Sequence, residues 1–145
     1  SHCYDQPGIY TVELRVMNNT GDFQTAIHNV SIGQGDCTPP EFEILTPSRG
    51  VYLFGYKLPI FSFRSPLIIG DINMSVDACD ENTGIDRVEF IIDGECKRLD
   101  YSAPYTYHWI NESRSLLKHK HSVKIRCYDG FENMAEKELT VFKFY

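Results

Sequence analysis

Two stretches of this chain follow one pattern: an alternating apolar strand that ends in a small residue and an aspartate. One is INMSVDACD at 72–80 and the other is VKIRCYD at 123–129. Each runs into a Gly/Asn-containing loop, DENTG or DGFEN. Apolar residues at every second position give a strand one buried face and one solvated face. The Asp, Asn and Gly that follow are the residues that turn a chain back through side-chain caps and left-handed backbone. Such segments predict an antiparallel sandwich whose strands leave a shared core and enter solvated turns.

The chain has 145 residues, 42% of them hydrophobic and 13% aromatic, enough to build a real core. The formal charge is −6, which disfavours nucleic acid and anionic membranes as partners. No apolar run approaches the ~20 residues that span a bilayer. Without an initiator Met or a leader visible at Ser1, the chain reads as an excised fragment.

Residues 9–17 read as a strand with Tyr10, Val12, Leu14 and Val16 on one face. NNTGD turns, and residues 23–32 return as a hairpin. A lone hairpin is marginal in water, so its apolar face needs a partner. The run GQGDCTPP at 33–40 breaks the pattern, since Pro39-Pro40 cannot continue a ladder. The expected organisation is therefore a partial domain over 1–33, a linker over 34–40 and a sandwich over 41–145. Within the last, 42–46 is a short strand and 51–63, broken by Pro59, is an edge segment or loop. Residues 67–79 read as one strand kinked at Gly70. Strands are expected over 86–92 and 96–100 around an Asp93-Gly94 turn, and then over 105–109, 121–128 and 136–144. Residues 111–117 form the one plausible helical turn. The predicted fold class is all-β.

The piece HCYDQPGIYTVELRV at 2–16 resembles the closing half of a PKD (polycystic kidney disease) domain, through His2, Tyr4, Pro7, Gly8, Tyr10, Val12, Leu14 and Val16. The stretches IIGDINMSVDACDENTGIDRVEFIIDGE, SAPYTYHW and HSVKIRCYDGFENMA resemble bacterial and archaeal Ig-like modules of large surface proteins. Cys127 stands where that pattern has a small residue, and Glu132 stands where it has Gly, a departure expected to alter the turn. Together the resemblances imply an immunoglobulin-like β-sandwich preceded by a partial PKD-type β-sandwich, as in surface-layer or surface-anchored proteins of archaea, including methanogens. They imply an extracellular, cell-surface or secreted location. The implied partners are neighbouring β-sandwich domains of the same protein, and cell-wall or surface glycan or self-association.

Five cysteines are present, none in a CxxC pair. Cys3 and Cys37 flank the hairpin at one end and are candidates for a bridge. Cys79 and Cys127 end strands at one pole and are a second candidate pair, although Cys127 shares the inward phase of its strand and Cys79 does not. Cys96 is then left over, and five reduced thiols is the alternative. Asn18, Asn29, Asn73 and Asn111 head N-x-S/T sequons and are glycosylation candidates, which favours export.

Two acidic loops, one with Asp77, Asp80, Glu81, Asn82 and Asp86 and one with Asp129, Glu132 and Asn133, fall at one pole. Asp80, Asn82 and Asp129 are the candidate ligands for a structural calcium, which takes oxygen donors from several loops. The competing reading is that these side chains cap their own turns. His119 and His121 share a strand face but lack a third ligand. Tyr101, Tyr105, Tyr107 and Trp109 are either a carbohydrate platform or cross-strand packing. No catalytic residues are predicted: no nucleophile elbow, HExxH or phosphate loop occurs. The expected function is a non-catalytic structural or adhesive module, with an accessory carbohydrate-binding module of a secreted hydrolase as the alternative.

Overall fold

The computed structural model describes residues 8–32, 35–59, 63–110 and 119–144. The chain divides into two compact units, Ser1–Cys37 and Thr38–Tyr145. Among the described residues every regular element is a β-strand.

The first unit shows one hairpin, β1 (Gly8–Met17) and β2 (Phe23–Ile32), in unbroken antiparallel register from Gly8↔Ile32 to Met17↔Phe23. Its turn is held by Asn18, whose Oδ1 accepts from the Thr20 amide, the Thr20 hydroxyl and the Asp22 amide at 3.0, 2.7 and 2.9 Å. Val12, Leu14 and Val16 lie on the expected face and are all exposed.

The second unit holds β3 (Glu41–Thr46), β4 (Val51–Leu53), β5 (Tyr56–Leu58), β6 (Leu67–Ile69), β7 (Ile72–Cys79), β8 (Ile85–Ile92), β9 (Glu95–Asp100), β10 (Tyr105–Trp109), β11 (Lys120–Asp129) and β12 (Met134–Phe144). They form a three-stranded sheet, β10-β7-β3, and a seven-stranded sheet, β5-β4-β6-β12-β11-β8-β9. Alternation puts Ile72, Met74 and Val76 of β7 into the core with Phe42, Tyr105 and Trp109 of the same sheet. The larger sheet contributes Val88, Phe90, Ile92, Val123, Ile125, Cys127 and Val141. This two-layer packing is the sandwich that the strand patterns predict.

One element differs from expectation, and a second, the expected edge segment, gains detail. Residues 67–79 are two strands in different sheets: β6 runs parallel to β12, and β7 pairs with β3 and β10. Gly70 makes the switch at φ +86°, where a Cβ would stand 2.6 Å from Cδ1 of Phe54. We expect Gly70→Ala to cost about 1–2 kcal/mol in chemical denaturation, since the left-handed backbone is strained for alanine while the exposed Phe54 ring has room to swing aside. The 51–63 segment contains an edge hairpin, β4–β5, with Phe54 and Gly55 both at positive φ and Pro59 just past its end. The expected helical turn at 111–117 lies outside the described residues.

Candidate functional site at the acidic pole

Strands β7 and β11 end side by side, and the aspartates that follow or close them face each other. A carboxylate oxygen of Asp80 and one of Asp129 lie within 4.8 Å. Asp80 Oδ1 accepts from the amides of Asn82, Thr83 and Gly84 at 3.1, 2.7 and 3.1 Å and from the Thr83 hydroxyl at 3.1 Å. The Thr83 amide above all, then the other loop donors, holds the Asp80 carboxyl below its ordinary 3.8 against an opposing desolvation. Its capping contribution is therefore complete above that value and is lost only as pH falls below it. Asp129 is fully buried. Its Oδ1 accepts from the Phe131 and Asn133 amides, both at 2.8 Å, and its Oδ2 from the Asn133 side-chain amide at 2.7 Å.

Of the three calcium candidates, the structure brings Asp80 and Asp129 together, and Asn82 joins through its main-chain amide. The Oδ1 atoms are committed to loop donors. Asp129 Oδ2 also takes the Asn133 side-chain amide, so the Asp80–Asp129 pair supplies only a minority of the six to eight oxygens a calcium ion takes. We expect the melting temperature to be the same in EDTA and in millimolar calcium. A calcium-dependent rise would reassign the pair from caps to ligands.

Glu132, where the resembled pattern has Gly, sits at φ +63°, the left-handed conformation a glycine adopts. In that conformation Glu132 is gripped by Arg87: Nη1 to Oε1 at 3.0 Å and Nη2 to Oε2 at 2.9 Å, with the guanidinium 3.9 Å from the Tyr128 ring centroid. Arg87 lowers the Glu132 pKa in return.

The candidate Cys79–Cys127 bridge is not formed, and Cys79, Cys96 and Cys127 are free thiols. Strand phase is the reason: Cys127 points into the core and Cys79 is exposed. Burial, then the charges of Asp129 and Asp80, pushes the Cys127 thiol up to about 11. In the folded protein a maleimide should modify Cys79 and Cys96 and leave Cys127 unreacted until denaturant is added, as mass spectrometry would record. The Cys3–Cys37 candidate involves Cys3, which lies outside the described residues. Asn18, Asn29 and Asn73 are exposed, as glycan acceptors must be, and Asn111 lies outside the described residues.

The histidines do not converge: His121 Nδ1 contacts Asp93 Oδ2 at 2.8 Å, while the His119 ring stacks on Phe144 at 4.4 Å. The alternating aromatics are packing rather than a platform. Tyr105 and Trp109 are in the core, Tyr107 meets Phe90 at 5.9 Å, and Tyr101 alone is exposed. Among the exposed rings that sequence reasoning missed are Phe54 and Tyr56 on the β4–β5 hairpin. The signal that could have found them was the Phe-Gly dipeptide between two short apolar runs.

Residues 65–125 match the bacterial Ig domain family. Among solved structures, the chain resembles the fibronectin(III)-like modules of Clostridium thermocellum CbhA, with a TM-score of 0.58 and 19% identity, over 95% of this chain and 63% of that one. A second likeness, to an engineered protein solved at 1.98 Å, has a TM-score of 0.44 and 13% identity over 73% of this chain and 20% of that one. No curated protein matches the sequence. The likeness to the CbhA modules concerns the fold, which is an all-β sandwich of the Ig/fibronectin(III) kind.

Proposed function

We propose that the chain serves as a non-catalytic structural and adhesive module of a large cell-surface protein. The second unit acts as a spacer, stalk or wall component, and the β1–β2 hairpin is the closing strand pair of a PKD-type sandwich. The observation that carries this reading is how the acidic pole uses its carboxylates. Asp80 and Asp129 hold loop amides in place, which builds a rigid turn cluster and leaves neither free to serve as an acid or base. Bacterial Ig-like domains occur mostly in extracellular and surface proteins, and exposed Asn18, Asn29 and Asn73 suit a glycosylated exterior. The exposed apolar residues of the hairpin support a sandwich completed by further strands. Cell fractionation with an antibody to this module tests the reading. Recovery in the surface fraction and no turnover of polysaccharide or peptide substrates are expected, and hydrolysis by the isolated chain would overturn it.

The exposed Phe54 and Tyr56 rings favour a second reading, an accessory module that binds polysaccharide. A glycan array separates the two. Binding that is lost in Tyr56→Ala would support the accessory module.

A further inference from the structure

A transferase that glycosylates asparagine has to close round both sides of a three-residue sequon. Exposure of the asparagine is therefore not enough, and the backbone has to stand clear of a sheet, as in a surface loop. Three sequons lie among the described residues, headed by Asn18, Asn29 and Asn73. The second runs within β2, where Asn29, Val30 and Ser31 pair with Thr11, Tyr10 and Ile9. Asn29 Oδ1 also accepts from the Thr11 hydroxyl at 3.0 Å. The third runs within β7, the middle strand of its sheet, where Asn73, Met74 and Ser75 pair with His108, Tyr107 and Thr106. Met74 is fully buried, so bending that sequon out of the sheet would draw a core side chain into water.

Asn18, Asn19 and Thr20 instead form the apex of the β1–β2 hairpin, and all three are exposed. The turn closes outside the sequon's middle. The Asn18 amide donates to the Asp22 carbonyl at 2.9 Å, and the Gly21 amide donates to the Asn18 carbonyl at 3.2 Å. The Asn18 side chain is anchored by its oxygen, which takes the Thr20 amide, the Thr20 hydroxyl and the Asp22 amide. That is an Asx-turn built largely from the sequon's own residues. Nδ2 keeps one long contact, 3.4 Å to Asp22 Oδ2, and a carboxamide nitrogen has two N–H groups. Beside it opens a hollow of about 310 Å³ lined by Val16, Asn18, Asp22, Phe23 and Gln24. A Cβ built on Gly21 would meet nothing within 4 Å. A first sugar on Asn18 therefore has room.

We propose that Asn18 is a glycan acceptor of the folded protein, taking an oligosaccharide from a polyprenyl diphosphate donor, and that Asn29 and Asn73 are closed to transfer once their strands have paired. In the transfer Nδ2 attacks the anomeric carbon of the first sugar. The C–N bond forms as the C–O bond to the diphosphate breaks. The diphosphate leaves with the bonding pair, and a base of the transferase takes the Nδ2 proton. Meeting such a donor in the cell rests on the surface reading. The choice of acceptor rests on the hairpin and is testable without it.

The folded chain is incubated with a purified oligosaccharyltransferase that accepts the plain three-residue sequon and with its glycan donor. Synthetic peptides spanning each sequon are run alongside, since they have no sheet to protect them. Peptide mass mapping reads occupancy, and the ratio of folded-chain to peptide transfer is taken at each asparagine. That ratio should be at least tenfold higher at Asn18, because the other two must wait for local opening of their strands. Asn18→Gln should remove the main glycosylated species. No transfer to Asn18 in the folded chain, or an equal ratio at Asn29 or Asn73, would overturn the proposal. A purified reaction is indifferent to where the cell places the chain, so its failure is separate from failure of the surface reading.

Discussion

Asp129→Ala is expected to lower the stability of the second unit by about 3 kcal/mol in urea unfolding, enough to move the melting temperature by more than about 10 °C. The side chain is fully buried and accepts three hydrogen bonds, two from main-chain amides of its own loop. Removing it leaves the Phe131 and Asn133 donors facing a gap. A buried donor without an acceptor costs roughly 1–3 kcal/mol, and bonds to charged acceptors lie at the upper end. Water entering this polar loop recovers part of the loss, which is why the three terms do not simply add. Asp129→Asn should cost less, about 1–2 kcal/mol, because its carbonyl still serves the two amides while its NH₂ opposes the Asn133 amide. A loss in Asp129→Ala no larger than in Asp129→Asn would show that the main-chain donors are not what the carboxylate is for.

The second large effect has the opposite sign. Lys143 points from β12 into the sandwich, is 4% exposed, and among the described residues its Nζ has no hydrogen-bond partner. The ammonium lies 5.4 Å from the Trp109 ring centroid. A cation–π contact contributes up to about 2 kcal/mol, whereas desolvating an unpaired ammonium costs several. Lys143→Met keeps the apolar stem and removes the charge, so a gain of about 2–3 kcal/mol is expected. Burial lowers the Lys143 pKa, and the charge of Asp71 opposes the shift only in part. Between that lowered value and the ordinary 10.5, the unfolded chain binds more protons than the folded one, so wild-type stability rises with pH across this interval. Lys143→Met should lose that rise. A variant less stable than wild type, or with the same pH slope, would show that the amine is stabilised where it sits.

The strands that alternate cleanly were legible. Ile72, Met74 and Val76, and Val123, Ile125 and Cys127, all face the core as their spacing predicts. The pairing of Asp80 with Asp129 was legible too, because two strands that run in the same direction end at one pole. Three features resisted for a shared reason: each depends on backbone or packing that residue type does not encode. Gly70 reads as a kink, and only its contact with Phe54 and the flanking pairings reveal a change of sheet. Phe54 and Glu132 occupy left-handed positions usually marked by glycine, so the sequence places their turns but not the backbone within them. Tyr105 and Trp109 alternate as a platform would, and burial alone distinguishes packing from display.

The parallel β6–β12 pair has a consequence for tension. A pull that separates the two ends of this unit loads β3 first, and once it reaches β6 it draws β6 toward its start and β12 toward its finish. Their shared bonds, among them Phe142 to Pro66 and Gly70 to Phe144, are then loaded side by side instead of one after another. These must yield together before β12 can leave β6, which slows rupture of that pair under load. A link stretched between a cell and its surroundings would rely on that grip.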